Sequence, residues 1–167
     1  LIEQIAGSIS GKALVTDVGS TKGRICRDAA KLDTLRADFI GSHPMAGSEQ
    51  TGIAHAQANL LEGAACIVTP LETSAEEPLL RLKSFWEALG MRVTSMAPEE
   101  HDKAVAHISH LPHVLAAALC SFLAGKNPDW QALAGGGLRD TTRVAAGDPN
   151  LWRAILEGNR EEVLRAI

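Results

Sequence analysis

The chain has 167 residues, 16 lysines and arginines against 20 aspartates and glutamates, a net charge of -4, and 46% hydrophobic residues. This is globular composition, with enough chain for one core or two small ones. The acidic balance and the lack of any Lys/Arg cluster argue against a nucleic-acid surface.

Cys26, Cys66 and Cys120 are odd in number and far apart, with no CxxC, and they read as reduced thiols of a cytoplasmic protein. No signal-peptide pattern opens the chain. The longest apolar run, within residues 114–123, reads as too short to span a bilayer, so no membrane partner is expected. The chain opens on a helical pattern already in progress and closes on an amphipathic pattern with no stop signal. We therefore expect a piece of a longer protein.

Residues 1–9 read as the tail of a helix closed by Gly11. Residues 12–16, with Ala13-Leu14-Val15, read as a buried strand, and Asp17-Val18-Gly19-Ser20 as the turn after it. Residues 22–32 pattern as a helix with Ile25, Ala29 and Leu32 on one face. A second apolar run, residues 37–41, predicts a strand that leads into the loop Gly41-Ser42-His43-Pro44-Met45-Ala46-Gly47-Ser48-Glu49. His43 would sit just past that strand's carboxyl end. Pro44 biases it towards extended geometry, and Gly41 and Gly47 let the backbone turn. Ligands of open α/β sheets bind at that rim. A turn whose histidine only caps a neighbour is the competing reading.

Residues 52–61 pattern as a helix and residues 64–69 as a third strand stopped by Pro70. Residues 76–89 form an amphipathic helix whose stripe is Leu79, Leu82, Trp86 and Leu89, with Phe85 beside them. Residues 91–95 are a fourth strand. Strand and helix in alternation predict a mostly parallel sheet with right-handed crossovers. At Pro98 the character changes: proline and two acids open a helix, and no strand follows. Val105 and Ile108 continue one helix face. Pro112 breaks or kinks the helix, and the run after it is apolar on nearly every side. A helical segment this short cannot bury such a run alone, which predicts a homodimer through residues 98–167. The fold class expected is α/β followed by all-α, with domains at residues 1–97 and 98–167.

Three groups carry chemistry. Ser20 and His43 each follow a strand in consecutive β-α units, so both lie at one sheet edge. A serine hydroxyl can hold one ring nitrogen while the other faces a substrate; Ser20 as the N-cap of the next helix is the alternative. In the second group, His107, His110 and His113 stand three apart. A zinc site lacks the usual pair four apart with a carboxylate, so no metal is expected. Ser109, His110 and His113 flank the proline kink, where a cleft can form. In the third group, Gly135-Gly136-Gly137 leads into a polar turn with Asp140 and Arg143 on one face. There Arg143 either grips a carboxylate or pairs with Asp140.

Thr16-Asp17-Val18-Gly19-Ser20-Thr21-Lys22-Gly23, Gly41-Ser42-His43-Pro44-Met45-Ala46-Gly47, His107-Ile108-Ser109-His110-Leu111-Pro112-His113 and Gly135-Gly136-Gly137-Leu138-Arg139-Asp140-Thr141-Thr142-Arg143 occur in that order. Together they resemble the prephenate/arogenate dehydrogenase family of tyrosine biosynthesis. The resemblance implies the C-terminal part of a Rossmann-type domain, then a helical dimerisation domain. It also implies oxidative decarboxylation of prephenate or arogenate with NAD or NADP. His43 would take the proton of the substrate's 4-hydroxyl, with Ser20 orienting it. Arg143 would bind a carboxylate, and His113 and Ser109 would line the substrate pocket with His110, Asp140 and Glu49. Gly19, Ser20 and Thr21 would lie on the cofactor side. His113, as a donor and potential cation, suits the keto acid prephenate; Glu49 would favour the ammonium of arogenate. The family's GxGxxG turn has no counterpart in these residues, since Gly7-Ser8-Ile9-Ser10-Gly11 precedes a strand rather than following one. A catalytically silent dimerisation or regulatory module is the alternative function, and a zinc hydrolase using the three histidines a third.

Overall fold

The computed structural model describes residues 2–9, 13–32, 38–47 and 52–167. The chain forms two compact units, Leu1–Gly47 with Ala56–Asp102, and Ser48–His55 with Lys103–Ile167.

The first unit holds helix α1 (Ile2–Ala6), strand β1 (Leu14–Val15), helix α2 (Gly23–Ala30), strands β2 (Asp38–Phe39), β3 (Gly41–Pro44) and β4 (Ala65–Thr69), helix α3 (Glu76–Ala88) and strand β5 (Arg92–Ser95). β1 pairs with β2 in parallel, and β4 with β5 in parallel. Each parallel pair is joined through a helix, as a crossover requires. β3 and β4 run antiparallel, with His43 opposite Ile67. Residues 52–61, expected to be helical, hold only a 3-10 turn at Ile53–His55 and tight turns.

Ile40, Cys66, Val68, Leu82, Trp86 and Met91 make one core cluster, and Cys26, Ala29 and Phe39 a second. The buried line of α3 is Pro78, Leu82 and Trp86, four residues apart each time. It is narrower than the stripe expected, for Phe85 and Leu89 are exposed.

Helix α4 (Pro98–Val105), a π-turn (Ala106–His110) and helix α5 (Leu111–Ala124) form one helix spanning Pro98–Ala124. The Leu111 N–H donates to the Ala106 carbonyl five residues back. Pro112 brings no N–H, and its ring crowds the carbonyl of Ile108. The wider turn relieves that clash, so the expected break appears as a π-turn in an unbroken helix. This corrects the length read from residues 114–123 alone: at 27 residues the helix is, by length and composition only, long and apolar enough to cross a membrane. A helix of a globular protein covered on all sides has the same composition.

The second unit continues with α6 (Pro128–Ala132), α7 (Gly136–Thr142), a 3-10 turn (Arg143–Ala146), α8 (Pro149–Gly158) and α9 (Arg160–Ala166). Asp148 caps α8 by accepting from the N–H groups of Asn150 at 2.7 Å and Leu151 at 3.1 Å. α5 packs on α7 and the 3-10 turn, and the π-turn packs on α9. Within one chain α5 buries only His113 and Ala116, while Leu115 and Phe122 are exposed.

Candidate functional site

In the first unit, β3 carries His43 inside a strand rather than in a loop beyond one. Gly41 serves close approach and not a turn: a Cβ there would lie 2.5 Å from Thr69 Oγ1 and 3.2 Å from Cys26 Sγ. Gly47, at φ 146°, does need glycine's freedom.

Ser42, immediately before His43, is bonded at every polar group. Its N–H donates to Asp17 Oδ1 (3.3 Å), its carbonyl accepts from Lys22 Nζ (2.7 Å), and its hydroxyl accepts from Trp86 Nε1 (3.0 Å) and meets Thr16 Oγ1 (2.7 Å). The Lys22 ammonium also pairs with Asp17.

His43 Nδ1 lies 2.8 Å from His101 Nε2, and His101 Nδ1 lies 2.8 Å from Asp102 Oδ1. Asp102 in turn accepts the backbone N–H groups of Lys22 (2.7 Å) and Gly23 (2.8 Å), at the start of α2. With both rings neutral, this chain orders the protons. An ionised carboxylate only accepts, so His101 carries its proton on Nδ1. His101 Nε2 is then a lone pair and accepts from His43 Nδ1–H. The lone pair of His43 then sits on Nε2. Burial pushes the Asp102 carboxyl up. The bonds from His101, Lys22 and Gly23 outweigh that and hold it below the usual carboxylate range.

Two expectations are thereby corrected. His101, not Ser20, holds the inner nitrogen of His43. The start of α2 has no side-chain cap of its own, and the Asp102 carboxylate takes the place expected for Ser20. Ser20 and Thr21 lie on the half-buried loop after β1, where the Gly19 N–H bonds Asp17 Oδ2 at 2.9 Å. His101 and Asp102 were missed by sequence reasoning. Four residues before Val105 on its buried face stands His101, and that spacing was the available signal. Ile108, expected on the same face, is turned out to 67% exposure by the π-turn.

In the second unit, His113 stacks on Trp152, with ring centroids 3.5 Å apart and planes 7° from parallel. His110 meets the same indole edge-on at 6.2 Å, and its Nδ1 lies 3.2 Å from Asn159 Nδ2. Trp152 reaches this place across Gly147, where a Cβ would be 2.5 Å from the indole nitrogen. Trp152 and Asn159 were not singled out in the sequence. His113 is 6% exposed and its Nδ1 has no hydrogen-bond partner. Burial pushes the ring's pKa down, against a smaller opposing effect of its bond to the Val144 backbone. Burial thus works against the cation that the sequence reading allowed at His113.

Ser109 is half-buried in the π-turn. His107 is exposed and bonds the Lys103 carbonyl at 2.8 Å. His107 thus stands apart from His110 and His113, which share Trp152, and among the described residues no three His, Cys, Asp or Glu side chains gather as metal ligands. Asp140 on α7 and Arg143 at the start of the 3-10 turn are both exposed. Glu49 lies outside the described residues.

A two-stranded parallel sheet and a three-stranded mixed sheet with helical crossovers, followed by an all-helical unit, are the build of a nucleotide-binding domain joined to a helical dimerization domain. Residues 1–95 match the family model "Prephenate dehydrogenase, nucleotide-binding domain", and residues 97–167 match "Prephenate dehydrogenase, dimerization domain". The chain belongs to the prephenate dehydrogenase family. It is 38% identical over 168 residues to the prephenate dehydrogenase of Bacillus subtilis, covering 98% of this chain and 45% of that one. Among solved structures it is similar to prephenate dehydrogenase from A. aeolicus in complex with hydroxyphenyl propionate and NAD+, at 38% identity and TM-score 0.85, over 99% of this chain and 59% of that one. It is also similar to Synechocystis arogenate dehydrogenase, at 39% identity and TM-score 0.82, over 99% and 60%. The chain spans about half the length of the curated relatives it matches.

Proposed function

We propose that this chain carries the substrate-side chemistry of a dehydrogenase of tyrosine biosynthesis, one that oxidatively decarboxylates prephenate to 4-hydroxyphenylpyruvate or arogenate to tyrosine. The observation that carries the reading is the His43–His101–Asp102 chain, which leaves His43 Nε2 as the basic nitrogen. A dehydrogenation of this type needs a base for the substrate's 4-hydroxyl proton as hydride leaves the carbon bearing it. The carboxylate at the ring's quaternary carbon then departs as carbon dioxide, and its bonding electrons complete the aromatic ring. The Asp102 charge, relayed through His101, stabilises the imidazolium that forms. This ordered base favours an active centre over a catalytically silent module.

As the family resemblance implies, Arg143 binds a substrate carboxylate, and Ser109, His110, His113 and Asp140 are the further substrate-binding residues. The buried setting of His113 disfavours its charged form and so weakens the charge argument for prephenate over arogenate. NAD or NADP supplies the hydride acceptor when bound. Gly19, Ser20 and Thr21, on the loop at the carboxyl end of β1, fit its nicotinamide end, because a parallel pair presents ligands at that rim. The glycine-rich turn for its pyrophosphate is not among these residues. The exposed Leu115 and Phe122 of α5 fit a homodimer interface, and the free thiols of Cys26, Cys66 and Cys120 fit the cytoplasm.

The test is steady-state kinetics on the full-length protein. His43→Asn is expected to lower kcat by roughly 10²–10⁴-fold with little change in KM, the worth of a positioned base. Arg143→Ala is expected to raise KM while kcat stays within a small factor. A His43→Asn enzyme with near-normal kcat refutes the assignment.

A further inference from the structure

Lys22 is fully buried, and a buried ammonium is destabilising unless its surroundings compensate the charge. Its contacts lead from two sides to one residue. Through its backbone, the Lys22 N–H donates to Asp102 Oδ1, the carboxylate oxygen that also holds His101, which holds the His43 ring. Through its side chain, the ammonium pairs with Asp17 and donates to the carbonyl of Ser42, the residue bonded to His43 along the strand. Asp17 closes the loop by accepting the Ser42 N–H. One residue thus fixes the ring of His43 from the far end of the relay and its backbone from the neighbouring peptide.

We propose that Lys22 is the positioning residue of His43, and that its ammonium sets where β3 delivers the imidazole to His101. This rests on His43 being the base of the reaction above. Without the ammonium, the Ser42 carbonyl loses its donor and β3 is free to shift. The His43–His101 bond lengthens, and the His43 proton is no longer confined to Nδ1. Misplacement of a reacting group by about 1 Å costs on the order of 10²-fold in rate.

The simple variant Lys22→Met leaves the partly buried Asp17 without its counter-ion and is at risk of not folding. Asp17→Asn/Lys22→Met removes both charges and keeps the shapes. In the full-length protein this pair is expected to fold and to lose roughly 10–100-fold in kcat, with substrate KM within about twofold. The decisive readout is the cycle with His43→Asn. A positioning role predicts that the pair changes kcat by less than about twofold once His43 is already asparagine, since residues that act as one unit are not additive. A purely structural role predicts the same loss in either background, and that result overturns the proposal, as does wild-type kcat in the folded pair. Long-range ¹H–¹⁵N spectra of the ring, taken without substrate, separate this proposal from the functional one. The expected change is from an Nδ1–H tautomer to a mixture, whether or not the protein proves to be a dehydrogenase. An unchanged tautomer also overturns it.

Discussion

Replacing Asp102 by asparagine tests the relay at its charged end. Asp102 accepts Lys22 N–H and His101 Nδ1–H on Oδ1, and Gly23 N–H on Oδ2. An asparagine with its oxygen in the Oδ1 place keeps the first two and sets its NH₂ against the Gly23 N–H. The reverse orientation sets NH₂ against Lys22 and also forces His101 to move its proton. The first arrangement is therefore favoured, with the tautomers intact but the charge gone. One charge-assisted bond is lost outright and two are weakened, at about 1.5–3 kcal/mol for an intact one. A destabilisation of roughly 2–4 kcal/mol follows, visible as a lower melting temperature. The His43 imidazolium loses its distant anion. If that is worth about 1.4–2.8 kcal/mol, kcat falls by roughly 10–100-fold, and the acidic limb of the pH profile of kcat/KM moves down by about one to two units. Nicotinamide absorbance on the full-length protein, read from pH 5 to 9, is the assay. A folded variant with kcat within about twofold of wild type and a superimposable profile would show that Asp102 merely caps a helix.

Gly147→Ala is expected to push Trp152 off His113, because its Cβ would lie 2.5 Å from the indole nitrogen. A stability loss of about 1–3 kcal/mol and a higher substrate KM should follow, checked by melting and kinetics. His113 has a depressed pKa in the folded protein. The unfolded chain therefore binds the proton more readily, and stability is full above about pH 6.5 and falls as pH drops below it. Melting temperatures at pH 7.5 and 5.5 should show this, and His113→Phe should flatten the slope. Asp102 has the opposite chemistry with the same outcome lower down: its depressed carboxyl stabilises above about pH 4, and that share is lost as pH falls through the folded value. Burial pushes Cys66 up to about 11 and also raises Cys26. Both should resist alkylation in the native protein at pH 8 and react after denaturation, as peptide mapping would show. Rapid native labelling of Cys66 would contradict the packing described.

The strands and long helices were legible because their patterns are local. β4, β5, α3 and the start of α4 lie where apolar periodicity and Pro98 put them. The pairing direction of β3 was not legible, since it depends on a link whose apolar residues mimic a helix. The relay was not legible either. His101 and Asp102 stand 58 and 85 residues from His43 and Asp17, and nothing in the run Glu99-Glu100-His101-Asp102 distinguishes two buried polar side chains from a solvated helix start. Only the burial of the face shared with Val105 separates them. Likewise Ser20 follows its strand as expected, yet the bond to the His43 ring comes from a residue of another element.

The start of α2 has one more consequence. A helix N-terminus attracts anions with its unpaired amides and partial positive charge. Here the Lys22 and Gly23 amides are occupied by Asp102, whose negative charge stands where a phosphate would dock. A phosphate arriving there would meet repulsion instead of donors. The end of this helix is electrostatically closed to a diphosphate, so a dinucleotide bound as proposed would seat its diphosphate elsewhere.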